Sequence, residues 1–275
     1  MIVVTGATGN VGSALVRLLA DAGEKVRAVS RRITPKEVPQ GAVAHRADLR
    51  ESSQLGPALD GAEALFLLTP PELLDAPHSL RAAVARAREL GVRRIVLLSS
   101  QGVGTGRHPD VFERQVIESG LDWTILRPGA FHPNALQWAP SIRAERLARA
   151  PFAEVALPSV DPIDIAAVAA PALSTDRHAG RTYALTGPEA VTPRERVELI
   201  AAALGEPVGF VEQSEAEARS ELLAFMPAEA VEGTLSVLGH PAGEEQQVSP
   251  AVAEVLGRPA RSFAVWAQQH VEAFR

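Results

Sequence analysis

The stretch Ile2-Val3-Val4-Thr5-Gly6-Ala7-Thr8-Gly9-Asn10-Val11-Gly12 decides the fold. A short β-branched run passes directly into three glycines spaced three apart, then into an amphipathic segment. Val11, Leu15, Leu18 and Leu19 recur on one side of that segment, and Gly23 is placed to end it as a helix. Strand, glycine turn and helix form the arrangement that sets a dinucleotide pyrophosphate on a helix N-terminus. Glycine is needed because a side chain at the turn holds the backbone amides away from the phosphate oxygens. A purely structural glycine turn is the plainer reading; the position directly after an apolar strand speaks for dinucleotide binding.

The residues after this helix bear on which dinucleotide is bound. The second strand runs from Lys25 to Ser30 and leads into Arg31-Arg32. A carboxylate at the end of this strand commonly binds the ribose hydroxyls of NAD. Ser30 takes that region here, and the two guanidinium forks after it suit a 2′-phosphate in charge and geometry. Two solvated surface arginines would be unremarkable elsewhere, but this position favours NADP(H).

Strand and helix signals keep alternating. Val43 to Ala47 reads as a strand before Asp48-Leu49, and Ser52 is placed to cap a short helix reaching Leu59. Ala64 to Thr69 is almost wholly apolar, as expected of a strand covered on both faces. A helix from about His78 to Leu90 leads to the strand Ile95 to Ser99. A further helix carrying Val111, Phe112, Gln115 and Val116 leads to Trp123 to Leu126. The expected fold is α/β: a Rossmann-type doubly wound parallel sheet, with a cleft beyond the strand C-termini. Residues 1–130 form the expected NAD(P)-binding core. Residues 131–275 form a smaller C-terminal α/β substrate-binding region interleaved with it, with a helical lid at 214–238.

In that second half, residues 131–150 read as helix over a cleft, and Pro162 is placed to start a helix running to Ser174. Pro193 to Leu204 is another helix, with a strand after it at Val208 to Val211. Ser214 to Phe225 and Ala228 to Leu238 read as two helices split by Pro227. Their apolar residues suit either a core or the lining of a pocket for a planar, hydrophobic substrate.

Composition excludes several classes. The 275-residue chain has a formal net charge of −6, which argues against a nucleic-acid surface. No apolar run is long enough for a bilayer, so no membrane partner is expected. There is no cysteine, hence no disulfide, thiol chemistry or cysteine-based metal site, and the seven histidines show no ligand spacing. With no charged and apolar leader before Ile2, the expected location is cytoplasmic. The expected partner is a small aromatic molecule, and the expected state a monomer or homodimer.

The motifs together resemble a known family. Thr5 to Gly12, Asp48-Leu49, Leu98-Ser99-Ser100, Ser119 to Gly129, Asp161 to Ala166, Leu185 to Glu189 and Leu256 to Pro259 are similar to those of the NmrA-like atypical short-chain dehydrogenase/reductases. That branch includes NAD(P)H-dependent quinone reductases. The resemblance implies that Gly6, Thr8, Gly9, Asn10, Val11 and Gly12 cradle the pyrophosphate. It implies Arg31 and Arg32 at the 2′-phosphate, Asp48 and Leu49 at the adenine, and Thr69-Pro70 at the cofactor's middle. Ser99 joins the cofactor residues, and Pro128 and Phe131 lie near the nicotinamide.

One absence is decisive. Most reductases of the wider superfamily use Tyr-x-x-x-Lys, the lysine lowering the pKa of a tyrosine that donates the proton. This chain has one tyrosine, Tyr183, and its lysines are Lys25 and Lys36, both on the adenosine side. The family's catalytic serine position, just after Ser99-Ser100, holds Gln101. Three readings are compatible with this: hydride reduction of a quinone or aromatic ketone whose oxyanion needs little help, a redox sensor that binds NADP(H) without turnover, and an isomerase or epimerase that keeps its nicotinamide. The first is preferred. Gln101 and Ser100 are then candidates to hold the carbonyl oxygen. Glu113 is a candidate acid, its alternative being an exposed helix charge. His132 and Asn134 are expected to line the substrate side, with Trp138 and Phe225 as further substrate contacts and His132 as a candidate donor. His108 sits in a glycine-rich loop near the expected cleft, where a histidine is usually simply solvated.

Overall fold

The computed structural model describes residues 1–68 and 77–275, and the chain divides into two compact units. The first comprises Met1–Pro128 and Pro162–Ala184, the second Gly129–Asp161 and Leu185–Arg275.

The first unit is built on the strands β1 (Ile2–Thr5), β2 (Val26–Ser30), β3 (Ala42–Arg46), β4 (Ala64–Leu68), β5 (Arg94–Leu98) and β6 (Asp122–Pro128). They lie in the order β6-β5-β4-β1-β2-β3, every neighbouring pair parallel, and a later strand, Arg181–Leu185, adds itself beside β6. The order reverses direction beside β1, which is the topological switch of a doubly wound sheet. Side chains alternate between the two faces of each strand. Val3, Val29, Leu65, Leu67, Ile95, Leu97 and Ile125 share one apolar cluster with Leu55, Leu80, Val84, Phe112 and Val116. Those last residues belong to the helices α2 (Ser52–Leu59), α3 (Pro77–Glu89) and α5 (Val111–Ile117); the short α4 (Gln101–Gly104) opens the loop after β5. On the other face, α1 (Asn10–Asp21) packs on β1 and β2, and α7 (Pro162–Ser174) packs on α1 and on β4 to β6.

Of the expected apolar face, α1 buries Val11, Leu15 and Leu19 while Leu18 is only partly buried, and Gly23 after it has φ +80°. α2 starts at Ser52 with Glu51 in the cap position, so Ser52 is not its cap.

The second unit holds two small sheets. β7 (Ala130–Phe131), β9 (Leu157–Val160) and β11 (Ala190–Val191) form one in the order β11-β9-β7; β8 (Leu147–Ala150) pairs in parallel with β12 (Gly209–Glu212), the strand Arg181–Leu185 of the first sheet being β10. A 3-10 segment at His132–Trp138 leads into α6 (Ala139–Glu145). The reading of 131–150 as continuous helix is therefore corrected: residues 147–150 are a strand, held by a partner some sixty residues later. α8 (Pro193–Leu204) is capped by a reciprocal Thr192–Glu195 box and ended by Gly205 at φ +71°. α9 (Glu215–Leu222) and α10 (Ala228–Gly239) are joined around Pro227 and share a small apolar cluster of Ala218, Val231 and Leu235 with Phe152, Leu222 and Met226. α11 (Ala251–Leu256) and α12 (Phe263–Gln269) come last; Phe263 and Trp266 of α12 pack with Ile142, Val197, Ile200 and Phe274 as the unit's main core. Among the described residues no helix is long and apolar enough to cross a membrane.

Candidate functional site

Parallel pairing puts the C-terminal ends of the first unit's strands along one sheet edge, and most of the expected cofactor residues stand there. Thr5, 1% exposed, donates its hydroxyl to the Phe66 carbonyl and accepts from the Leu68 N–H, both at 2.9 Å, and so pins the end of β1 to β4. Gly6 is next, at φ +62°, where a Cβ would lie 2.2 Å from Leu68 Cδ2. A Cβ on Gly12 would lie 2.2 Å from the Gly6 carbonyl oxygen. The turn is closed so tightly that only glycine fits at both positions. Gly9 occupies the N-cap of α1 with no side-chain cap bond, and Thr8, Gly9 and Asn10 are exposed. A first helical turn whose N–H groups have no intrahelical partner therefore faces outward, which fits a pyrophosphate. Val11 is buried, so it offers backbone only.

Thr8 Oγ1 and Ser30 Oγ are 3.0 Å apart, which ties the turn to the end of β2. Arg31 and Arg32 beyond it are exposed, and neither is in an ion pair among the described residues. Asp48 lies just past β3. Its carboxylate accepts from Arg50 Nη2 at 2.6 Å and from the Arg50 N–H at 3.0 Å. The Arg50 hydrogen bond, helped by the charge of Arg31, holds Asp48 below the usual carboxylate range. Leu49 packs against the core. Thr69 and Pro70 lie outside the described residues.

Beyond β5 the polar residues are tied together. Ser99 donates its hydroxyl to Glu113 Oε1 at 2.5 Å. Glu113, 3% exposed, accepts from Arg127 at both oxygens, Nε to Oε1 at 3.0 Å and Nη2 to Oε2 at 2.6 Å. The pair raises the Arg127 pKa above its ordinary value. Glu113 is thus neither an exposed helix charge nor placed as an acid: both of its oxygens are engaged by the Arg127 guanidinium, in the fork geometry of a structural ion pair. It locks α5 to the ends of β5 and β6. Ser100 caps α4, accepting from the Gly102 N–H at 3.0 Å, and Gln101 is the first residue of that helix, half-buried. His108 is not simply solvated, because its Nδ1 lies 3.1 Å from Ser100 Oγ. Pro128 is buried at the end of β6.

The second unit holds the other expected contacts, and two of them are corrected. His132 is 2% exposed, with Nδ1 2.8 Å from Ser159 Oγ, Nε2 3.3 Å from the Arg261 carbonyl, and an edge-on contact with Phe263. Both ring nitrogens are engaged inside the fold, so His132 is a core histidine, neither substrate contact nor proton donor. Trp138, 7% exposed, packs in the same core rather than standing open to a substrate. Asn134 is exposed on the 3-10 segment, Phe131 is half-buried on β7, and Phe225 is 70% exposed at the α9–α10 turn. Arg196, which no sequence motif singles out, is nearly engulfed. Its Nη2 donates to the Leu157 carbonyl at 2.8 Å, its guanidinium stands over Phe263, and burial pushes it down to about 10. Arg127 also went unflagged in the sequence; its place at the end of a buried strand was the signal.

The Tyr–Lys pair is absent in space as in sequence. Tyr183 lies on β10 at one edge of the seven-stranded sheet, its hydroxyl 2.9 Å from His178 Nδ1. Lys25 and Lys36 bracket β2, near the opposite edge.

A sheet with this switch, glycine turn and outward helix N-terminus is a dinucleotide-binding architecture, and comparison with known proteins agrees. Residues 6–176 match the model of the NAD(P)H-binding family. Among curated relatives, the (4-alkanoyl-5-oxo-2,5-dihydrofuran-3-yl)methyl phosphate reductase of Streptomyces griseus is 41% identical, covering 100% of this chain and 99% of that one. The NAD(P)H azoreductase of Xenophilus azovorans is 34% identical over 100% and 99%. Among solved structures, the NADPH-dependent quinone oxidoreductase of Escherichia coli complexed with NADPH superposes with a TM-score of 0.82 at 25% identity, covering 98% and 99%. The chain belongs to the NAD(P)H-binding family, and it shares its fold with NmrA, with a TM-score of 0.78 at 19% identity. It is an enzyme, an NAD(P)H-dependent oxidoreductase.

Proposed function

We propose that the enzyme uses NADPH to reduce a conjugated carbonyl or quinone of a hydrophobic, aromatic small molecule, without a Tyr–Lys pair. The observation that carries this is the separation of Tyr183 from Lys25 and Lys36, at opposite sides of one sheet. A saturated ketone develops a localised oxyanion and needs a strong acid beside it; a quinone or conjugated ketone spreads that charge over its own π-system. The named activities of the relatives, on an unsaturated acyl lactone phosphate, an azo compound and a quinone, support an electron-poor conjugated acceptor.

When bound, NADPH supplies the hydride. Backbone amides from Gly6 to Gly12 bind the pyrophosphate, and the exposed Arg31 and Arg32 clamp a 2′-phosphate, which favours NADPH over NADH. The Ser100 hydroxyl and the Gln101 carboxamide orient the acceptor oxygen at the end of β5.

The test is NADPH oxidation, tracked by absorbance, against quinones, polycyclic hydroxyketones, an acyl butenolide, an azo dye and saturated ketones, with NADH run in parallel. Turnover of conjugated acceptors, at a kcat/KM at least about tenfold higher with NADPH than NADH, is expected. Preference for saturated ketones, or no turnover of any acceptor, overturns the proposal. Unchanged NADPH affinity in an Arg31→Ala, Arg32→Ala double variant overturns the clamp.

A further inference from the structure

Ser100 and His108 stand together at the C-terminal end of β5 because the loop between them is shaped for it. Ser100 Oγ accepts from the Gly102 N–H at 3.0 Å and lies 3.1 Å from His108 Nδ1. The His108 N–H donates to the Gly102 carbonyl at 2.9 Å, folding the loop back over the start of α4. Gly102 leaves the gap that the ring enters: a Cβ there would sit 2.6 Å from His108 Nδ1.

The hydroxyl's valences make this pair useful. A serine hydroxyl has one proton and two lone pairs. The Gly102 N–H takes one lone pair. With its Nδ1 protonated, His108 donates into the other, and the serine proton is then directed to neither partner. His108 is exposed, so Nε2 exchanges protons with water.

We infer that Ser100 is the acid of the reduction and His108 the positioning residue behind it, a relay that stands in for the missing Tyr–Lys pair. The inference rests on the function proposed above. In the step, a C–H bond forms on the acceptor with the hydride's two electrons, and NADPH is oxidised to NADP⁺. The acceptor's π pair moves onto its oxygen, which takes the Ser100 proton. Ser100 takes the Nδ1 proton of His108, whose Nε2 takes one from solvent. Each proton crosses a single hydrogen bond.

The experiment compares wild type, His108→Ala and His108→Gln on the best conjugated acceptor, with NADPH affinity measured by fluorescence. Loss of general acid catalysis lowers kcat about a hundredfold in both variants, with NADPH affinity and acceptor KM little changed. Added imidazole restores about a tenth or more of the lost rate in His108→Ala, since it replaces the missing relay in the space left by the ring. Glutamine keeps a hydrogen bond to Ser100 but cannot pass a proton, so full activity in His108→Gln overturns the relay. A kcat within about twofold of wild type in His108→Ala, or absence of imidazole rescue, overturns it equally. Wild type inactive on every acceptor overturns the proposed function and the relay with it; an active wild type with unimpaired variants overturns the relay alone.

Discussion

Replacing Glu113 by glutamine separates a structural carboxylate from a catalytic one. The change removes a charge while keeping the shape. Oε1 remains an acceptor for Ser99 and for Arg127 Nε, but the position of Oε2, now 2.6 Å from Arg127 Nη2, becomes an amide donor facing a donor. A hydrogen bond to a charged group contributes about 1.5–3 kcal/mol. Breaking a buried ion pair by altering one partner costs about 3–5 kcal/mol. The Arg127 side chain is 29% exposed and regains some hydration, which places the loss at the lower end, about 2–3 kcal/mol. For a chain of this size that lowers Tm by about 5–10 °C. The assay is thermal unfolding by circular dichroism, paired with kcat measured well below the transition. A lowered Tm with kcat within about threefold of wild type is expected. An unchanged Tm with kcat reduced about a hundredfold would falsify the reading of Glu113 as an anchor and make it the acid.

The Cβ of Gly12→Ala must force the turn open against the Gly6 carbonyl, 2.2 Å away. NADPH affinity by calorimetry drops about tenfold or more and stability by about 1–3 kcal/mol; wild-type affinity contradicts the tight-turn geometry. His132→Ala leaves Ser159 and the Arg261 carbonyl without their partner, and the urea midpoint shifts by the equivalent of about 2–4 kcal/mol with activity preserved in the folded fraction. A fully stable but inactive variant puts His132 back in the chemistry. Burial, then the charges of Arg177 and Arg94, hold the His178 pKa below its ordinary value, so the unfolded chain takes up this proton first as pH falls and the stability tied to neutral His178 is lost. Between about pH 7.5 and about pH 5.5 the urea midpoint of wild type should therefore fall further than that of His178→Gln; equal falls refute the assignment.

Much of the first unit is legible because its signals are local. A glycine turn after an apolar strand is a steric statement about a few neighbouring residues, and Gly6 and Gly12 meet it as expected. The near-continuous apolar run at Ala64 to Leu68 announces a strand covered on both faces, and it lies mid-sheet. Three departures turn on partners outside the local pattern. Leu147-Ala148-Arg149-Ala150 becomes a strand only because Gly209–Glu212 lies beside it. His132 reads as a substrate residue until Arg261, 129 positions later, occupies its second nitrogen. Glu113 reads as acid or surface charge until Arg127 closes on it. His108 is the converse: its partner Ser100 is only eight residues away, but nothing in the periodicity of a glycine-rich loop shows that Gly102 leaves room for the ring.

The first unit is discontinuous in the chain. It leaves at Pro128 and resumes at Pro162, and only the returning segment brings α7 onto α1 and adds β10 to the sheet. A nascent chain stopped at residue 128 carries the whole glycine turn but leaves bare the sheet face of Val96 and Phe66. The cofactor half therefore gains its last helix and strand only once the chain has been made to about residue 184. At roughly 5–20 residues per second, the stretch from 128 to 184 takes about 3–11 s to synthesise. Throughout that interval an apolar sheet face waits for its last helix, which makes this window, rather than the finished protein, the stage most exposed to chaperone capture and aggregation.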